Sequence, residues 1–377
     1  MKLPFRQHHL LTVLGLCDTS KSPLDLMLRK YFIAHKAIGS KDRQAICEDL
    51  YALIRWRSLL EYFCPKPSSW QDLYALYKQK GIENLSTQEG IAEHVRVSFP
   101  KWIFECLVKN YGQRQATELC LASNTQAPTT VRVNTLKTSR EELLQKWKHL
   151  YHIESTPISP WGIRFLKKEN LFGMPDFKEG LFEVQDEGSQ IIAQHVNVKR
   201  GHLVLDYCAG SGGKSLAFAP EMQGSGQIYL HDIRPFVLQE AKKRLRRAGV
   251  QNCQVLPPDS PNKPLLKGKM HRVLVDAPCS GSGTWRRNPD MKWKTTPSGL
   301  QELICLQKKI FEEALDYLSP QGHIIYATCS LFPEENQNQI DFFKERFSLE
   351  EVTPPFQSLP QQGAMDGFFA AVLKRKL

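Results

Sequence analysis

The sequence predicts an α/β protein. A doubly wound parallel sheet over residues 181–377 is expected to follow a small α+β module at 96–180 and an all-α domain at 1–95. From Phe182 onward, strand and helix patterns alternate, as in repeated βα units. Three strands there are unbroken apolar runs, in HLVLDYCAGSGGKS (residues 202–215), HRVLVDAPCSGSGTWRRNPD (271–290) and HIIYATCSLFPEEN (323–336). Each run stops abruptly at small and polar residues. A strand buried on both faces reads this way, and its carboxyl end is where such folds bind ligands. Before residue 96 the periodicity is helical throughout.

In SKDRQAICEDLYALIRWRSLLEYF (40–63), Ile46, Leu50, Leu53 and Ile54 recur at helical spacing, with Ser40 placed to cap the helix. Pro65, Pro67 and the pair Ser68 and Ser69 break the pattern. KWIFECLVKNYG (101–112) reads as a further helix. After Gly112, TTVRVNTLK (129–137) alternates like a strand, EELLQKWKHL (141–150) like a helix and GIRFLK (162–167) like another strand. At 377 residues the chain is too long for one core, and 41% hydrophobic with 24% charged content is ordinary for a globular protein. No stretch approaches the ~18 apolar residues of a membrane span. The opening MKLPFRQHHLLTVLGLC has a brief apolar part with two histidines and no small-residue cleavage site, so it is expected to be a buried helix. Ten cysteines without a C-x-x-C pair argue against structural zinc and a disulfide framework. No metal is expected, and a reducing cytoplasm fits. The net charge of +11 favours a polyanionic partner.

The glycine-rich turn after HLVLDYC admits three cofactor types. A phosphate-binding loop matches Gly213, Lys214 and Ser215, but the required first glycine falls on Cys208. The dinucleotide pattern fits Gly210 and Gly212 but meets Ser215 at its third glycine. The third type is S-adenosylmethionine, its methionine part lying over Gly210, Gly212 and Gly213, where the backbone can approach closely. Asp232, ending QIYLHD, is suited to both ribose hydroxyls, and Asp259, ending CQVLPPD, to the adenine amino group. The expected cofactor set is Cys208, Ala209, Gly210, Ser211, Gly212, Gly213, Lys214, Asp232, Asp259 and Asp276, with Cys208 contributing packing rather than reactivity. Cys279 and Cys329 each lie just past a buried strand, flanked by Pro278, Ser280, Thr328 and Ser330. A lone thiol there would more often be a small buried hydrophobe; two suggest chemistry that uses both.

With those blocks placed, the chain resembles the RsmB/NOP-type RNA cytosine-5 methyltransferases. LDYCAGSGGKS, DAPCSGSGTWRRNPDMKW, YATCSLFPEEN and DGFFAAVLKR carry the resemblance, with RVNTLK and FEVQDEGSQ upstream. KDRQAICEDLYALIRWRSLLEY looks like the helical NusB-like extension of the bacterial 16S ribosomal RNA members. One departure stands out: where the family commonly has Ala-Pro-Gly-Gly, this chain has Gly210, Ser211, Gly212 and Gly213. The resemblance implies a Rossmann-like class I S-adenosylmethionine-dependent domain. It also implies Cys329 as the nucleophile that adds to cytosine C6 and Cys279 as the residue that promotes release. Asp276 is placed to hold cytosine N3 or the exocyclic amine, and Lys214 to favour the Cys329 thiolate.

TWRRNPDMKWK (284–294) interleaves cations with aromatic rings, so Trp285, Arg286, Arg287, Lys292 and Trp293 are the expected RNA contacts. KKRLRR (242–247) is denser but reads as a solvated helix face. The expected partner is RNA, small-subunit ribosomal RNA or an assembling subunit, engaged by a monomer away from any membrane. Two rivals remain: a DNA cytosine-5 methyltransferase with Cys279 as nucleophile, and a ribosome-assembly factor that binds RNA without catalysis.

Overall fold

The computed structural model describes residues 3–20 and 22–376. Contacts divide the chain into two units: residues up to Gln126 with Thr284–Pro297, and Ala127–Gly283 with the residues from Ser298 onward. No helix among the described residues is long and apolar enough to cross a membrane.

The first unit is helical. Helices Phe5–Thr19, Leu24–Ala34, Ser40–Arg55, Arg57–Phe63 and Trp70–Lys80 enclose a core that includes Leu14, Leu50, Leu53 and Leu60. Helix Ser40–Arg55 buries Ile46, Leu50, Leu53 and Ile54, the stripe its spacing predicts. Gly39, with no side-chain bond, occupies its cap, so Ser40 begins the helix rather than capping it. Ser69, read only as a breaker, does cap: its Oγ accepts from the Asp72 amide while Asp72 accepts from the Ser69 amide. The helical stretch Lys101–Ser123, interrupted at Gly112 with φ +77°, also belongs to this unit. The contact boundary therefore falls at Gln126, later than the expected 95.

Thr284–Pro297 contributes to the core of this helical unit. Trp285, Arg286 and Lys292 are each 1% exposed. The Trp285 ring packs on Phe99 with centroids 5.9 Å apart. Lys292 Nζ donates to Arg55 O (2.9 Å), Ser98 O (2.8 Å) and Asn124 Oδ1 (2.7 Å). Trp293 Nε1 donates to Ile54 O at 2.8 Å, and the Arg286 carbonyl accepts from the Arg55 guanidinium at 3.0 Å. The expected RNA contact is thus corrected for Trp285, Arg286 and Lys292; Arg287 and Trp293 are half-buried. A lysine whose three donors meet three oxygens is already satisfied within the protein, and a tryptophan buried against phenylalanine has no face left for a base to stack on.

The second unit holds two sheets. In the small module, β1 (Thr129–Val133), β2 (Ile153–Ser155), β3 (Gly162–Phe165) and β4 (Phe182–Val184) form an antiparallel sheet in the order β2-β3-β1-β4. Helix Arg140–Trp147 covers it with Trp147, whose ring meets Phe165 and Phe182. The larger sheet comprises β5 (Leu203–Asp206), β6 (Gln227–His231), β7 (Cys253–Leu256), β8 (Met270–Asp276), β9 (Leu318–Thr328), β10 (Leu349–Glu351), β11 (Phe356–Ser358) and β12 (Phe368–Arg375). Its order is β10-β12-β9-β8-β5-β6-β7, with β11 also on β12. Strands β5 to β9 pair in parallel, whereas β12 is antiparallel to β9, β10 and β11. The strand order reverses direction at β5, between β6 and β8, which opens a crevice at the carboxyl edge.

Candidate active site

A cleft of about 810 Å³ opens at that edge, a size suited to a cofactor-sized molecule. The turn after β5 forms its floor. Gly210 (φ +52°) and Gly212 (φ +76°) both adopt left-handed backbone. At Gly212 an added Cβ would also lie 3.1 Å from a Leu230 methyl. Cys208, Ala209, Gly210, Ser211, Gly213 and Lys214 line the cleft; Gly212 shapes the turn from behind. Burial pushes the Cys208 thiol pKa up, in keeping with a packing role.

Asp232 follows β6 directly. Its Oδ2 accepts from the Gly210 amide at 2.9 Å, and its Oδ1 from the Arg234 amide at 2.9 Å. The Arg234 guanidinium bonds both oxygens, at 2.9 and 3.0 Å. Burial alone would raise the Asp232 pKa, but the bonds from Arg234 and Gly210 hold it below the usual carboxylate value. Asp259 is a correction: β7 ends at Leu256, and the following turn leaves Asp259 exposed while Pro258 faces the cleft. The consecutive Pro257 and Pro258 carry the chain into that turn.

Several contributors escaped sequence reading. Asp206, at the end of β5, is 1% exposed, and burial pushes its pKa up to about 7. Its Oδ2 accepts from Ser215 Oγ at 2.7 Å, but Oδ1 has no hydrogen-bond partner among the described residues. Arg132 of β1 donates to the Gly213 carbonyl (2.8 Å) and to Gln185 (2.6 Å), bracing the turn from below. Arg244 donates to Ser211 O and Oγ at 3.0 and 2.6 Å, and both Arg244 and Arg247 pair with Glu183. Half of the KKRLRR run is therefore internal bracing, while Lys242, Lys243 and Arg246 are exposed.

Strands β8 and β9 bring the two thiols together. Asp276 is paired with Ala327 in the sheet, and the loops beyond them set Cys279 Sγ 3.5 Å from Cys329 Sγ. Lys214 Nζ donates to Asp276 Oδ2 at 2.5 Å. Burial would lower the Lys214 pKa, but Asp276 first and then Cys329 hold it above the ordinary value, so it stays a cation. The Asp276 side chain remains 34% exposed to the cleft. Beneath the loops lies Glu335, wholly buried, which no sequence signal singled out.

Known proteins show matching features. A family model described as "16S rRNA methyltransferase RsmB/F" matches residues 193–374, and one described as "Methyltr_RsmF/B-like, ferredoxin-like domain" matches 99–171. The chain is 32% identical over 315 residues to the "Probable ribosomal RNA small subunit methyltransferase B" of Synechocystis sp., covering 78% of this chain and 70% of that protein. It is 34% identical over 297 residues to the ribosomal RNA small subunit methyltransferase B of Klebsiella pneumoniae, covering 76% and 68%. The chain belongs to the RsmB/F methyltransferase family. The fold likeness extends further: the crystal structure of PH0851 superposes with TM-score 0.81 over 100% of both chains at 20% identity.

As an RsmB/F-family protein this is an S-adenosylmethionine-dependent methyltransferase. The residues fit the cofactor. The unpartnered buried oxygen of Asp206 suits the ammonium of its amino-acid part, and Asp232 suits the ribose, whose hydroxyls would replace the Arg234 guanidinium. Asp232→Ala is expected to weaken S-adenosylmethionine binding by ~1–3 kcal/mol, since hydroxyls lose their acceptor. Calorimetric titration checks this; wild-type affinity would leave Asp232 only its bond to the turn.

Proposed function

We propose that this protein methylates C5 of a cytosine in RNA, with 16S ribosomal RNA, free or in an assembling small subunit, as the substrate. The carrying observation is the pair of thiols 3.5 Å apart at the ends of adjacent strands, beside the Lys214–Asp276 ion pair. S-adenosylmethionine supplies an electrophilic methyl on a sulfonium sulfur. Cytosine C5 is too poor a nucleophile to take that methyl while the ring stays conjugated. Cys329 Sγ bonds to C6, which leaves an electron pair at C5 to form the new carbon–carbon bond as the methyl–sulfur bond breaks. Loss of the C5 proton then re-forms the ring double bond and expels the Cys329 thiolate.

The thiols divide this work by their surroundings. The hydrogen bond with Cys329 first, then burial, then the charges of Cys329 and Glu335 push the Cys279 pKa well up. In this reading Cys329 is the nucleophile, the role the family resemblance implies, and Cys279 is the thiol that keeps its proton, with the Lys214 cation close by. Once Cys329 is bonded to carbon, it no longer holds the Cys279 proton. Cys279 then gives its proton to solvent in the cleft and, as a thiolate, takes the proton from C5. Asp276 faces the ring at N3 or the exocyclic amine and offsets charge developing there. Bisulfite sequencing of ribosomal RNA from cells with and without the gene tests the reading. One small-subunit cytosine should lose its protection without the gene; unchanged RNA, or a change in DNA instead, would sink it.

With Trp285, Arg286 and Lys292 in the core, the exposed face Lys242, Lys243 and Arg246 of helix Pro235–Ala248 becomes the candidate phosphate contact. Replacing all three with alanine is expected to weaken RNA binding and to reduce the logarithmic salt slope by about 2–3. An unchanged slope in filter binding would mark this face as merely solvated.

A further inference from the structure

We propose that Glu335 is a positioning residue for this reaction: a buried carboxylate that clamps the Cys279 loop to the Cys329 loop and fixes the separation and unequal roles of the two sulfurs. The inference rests on the two-thiol reading above and deepens it. Glu335 Oε1 accepts from the Ser280 amide at 2.9 Å and from Gln307 Nε2 at 2.9 Å. Its Oε2 accepts from Ser280 Oγ and from Ser330 Oγ, each at 2.5 Å. Ser280 directly follows Cys279, and Ser330 directly follows Cys329. Each thiol is therefore one residue away from a donor to the same carboxylate. Movement of either loop would break a bond to a fully buried charge, which is costly.

Further bonds hold the clamp in turn. Gln307 Nε2 also donates to Pro278 O (3.0 Å), and Gln339 Nε2 donates to Gln307 Oε1 (2.9 Å). Tyr326 OH donates to the Glu335 carbonyl at 2.8 Å. All four donors to the carboxylate are neutral, so its charge reaches the sulfurs uncancelled by an ion pair. The titratable groups that interact with Cys279 are Cys329, Glu335 and Tyr326. Among these, the hydrogen bond and charge of Cys329 contribute more than Glu335 to keeping Cys279 protonated, and Glu335 acts in the same direction.

The test uses the full chain. Glu335→Gln keeps the shape and removes the charge; Glu335→Asp keeps the charge but is one methylene too short to reach both loops. Iodoacetamide labelling of Cys279 and Cys329 against pH, read by peptide mass spectrometry without RNA, reports the thiols directly. In Glu335→Gln the Cys279 labelling midpoint should fall by about one pH unit. The kcat for RNA methylation should drop by roughly 100-fold from misplacement, with S-adenosylmethionine affinity unchanged. Glu335→Asp should retain the high midpoint yet lose kcat. A wild-type midpoint and wild-type kcat in Glu335→Gln would overturn the proposal. If that variant does not fold, Ser330→Ala removes the Cys329 loop's bond to the carboxylate, together with the Ser330 contacts to Ser280 and Ser282, and an unchanged kcat there would overturn it equally. If the native protein methylates no RNA, a shifted midpoint still supports the clamp while the RNA reading falls.

Discussion

Cys279→Ala is expected to accumulate a covalent protein–RNA species that survives denaturing electrophoresis, whereas Cys329→Ala should neither methylate RNA nor cross-link to it. The two failures differ because the thiols act at different steps. Without the Cys329 sulfur no bond to C6 forms, and methyl transfer should fall by at least roughly 10⁴-fold, as for loss of other covalent nucleophiles. Without Cys279 the adduct forms and takes the methyl, but nothing 3.5 Å from the reacting sulfur removes the C5 proton, so elimination stalls. One gel with labelled RNA and three proteins is the measurement. If the phenotypes swap, Cys279 is the nucleophile, as in the DNA cytosine enzymes. If both variants methylate and neither traps RNA, the thiols are structural.

The second large effect lies in the helical unit. Lys292→Met should cost about 3–5 kcal/mol of that unit's stability, a large share of a typical domain's total. Methionine roughly keeps the volume under Phe99, but it leaves the oxygens of Arg55, Ser98 and Asn124 without their donor. Urea denaturation followed by tryptophan fluorescence measures the loss. The pH dependence carries a sign. Burial pushes the Lys292 pKa well below its ordinary value, so between that lowered value and ~10.4 the unfolded chain binds more protons than the folded one. The wild-type stability term from Lys292 is therefore lost as pH falls and regained as pH rises toward ~10.4, and the methionine variant should lack that slope. A small loss with an unchanged slope would mean that Lys292 is not the buried tie described.

What the sequence revealed depended on the range of the interaction. The apolar stripe of Ser40–Arg55 and the β-branched cores of β8 and β9 announce themselves by local periodicity, and the strand ends place Asp232, Asp276, Cys279 and Cys329 at one edge. Lys292 and Trp285 misled because a cation beside an aromatic ring looks the same locally whether RNA or the protein's own carbonyls satisfy it. The partners of Lys292 lie 168 to 237 positions away in sequence. Arg132 and Glu335 were missed for the same reason: a brace is recognisable only once both of its ends are in place. Asp259 was misread because the strand ends three residues earlier and the paired prolines turn its side chain outward.

Strand β12 has a consequence for how the protein is made. It is the last of the eight strands to leave the ribosome, yet it lies inside the sheet, with β9 on one side and β10 and β11 on the other. Until Phe368–Arg375 has been synthesised, the strand that leads to Cys329 keeps one long edge open to other chains. The sheet cannot close before β12 is made, and the pairing that completes it links residues more than 40 positions apart. Chains stalled or clipped before residue 368 should therefore be prone to edge-to-edge aggregation.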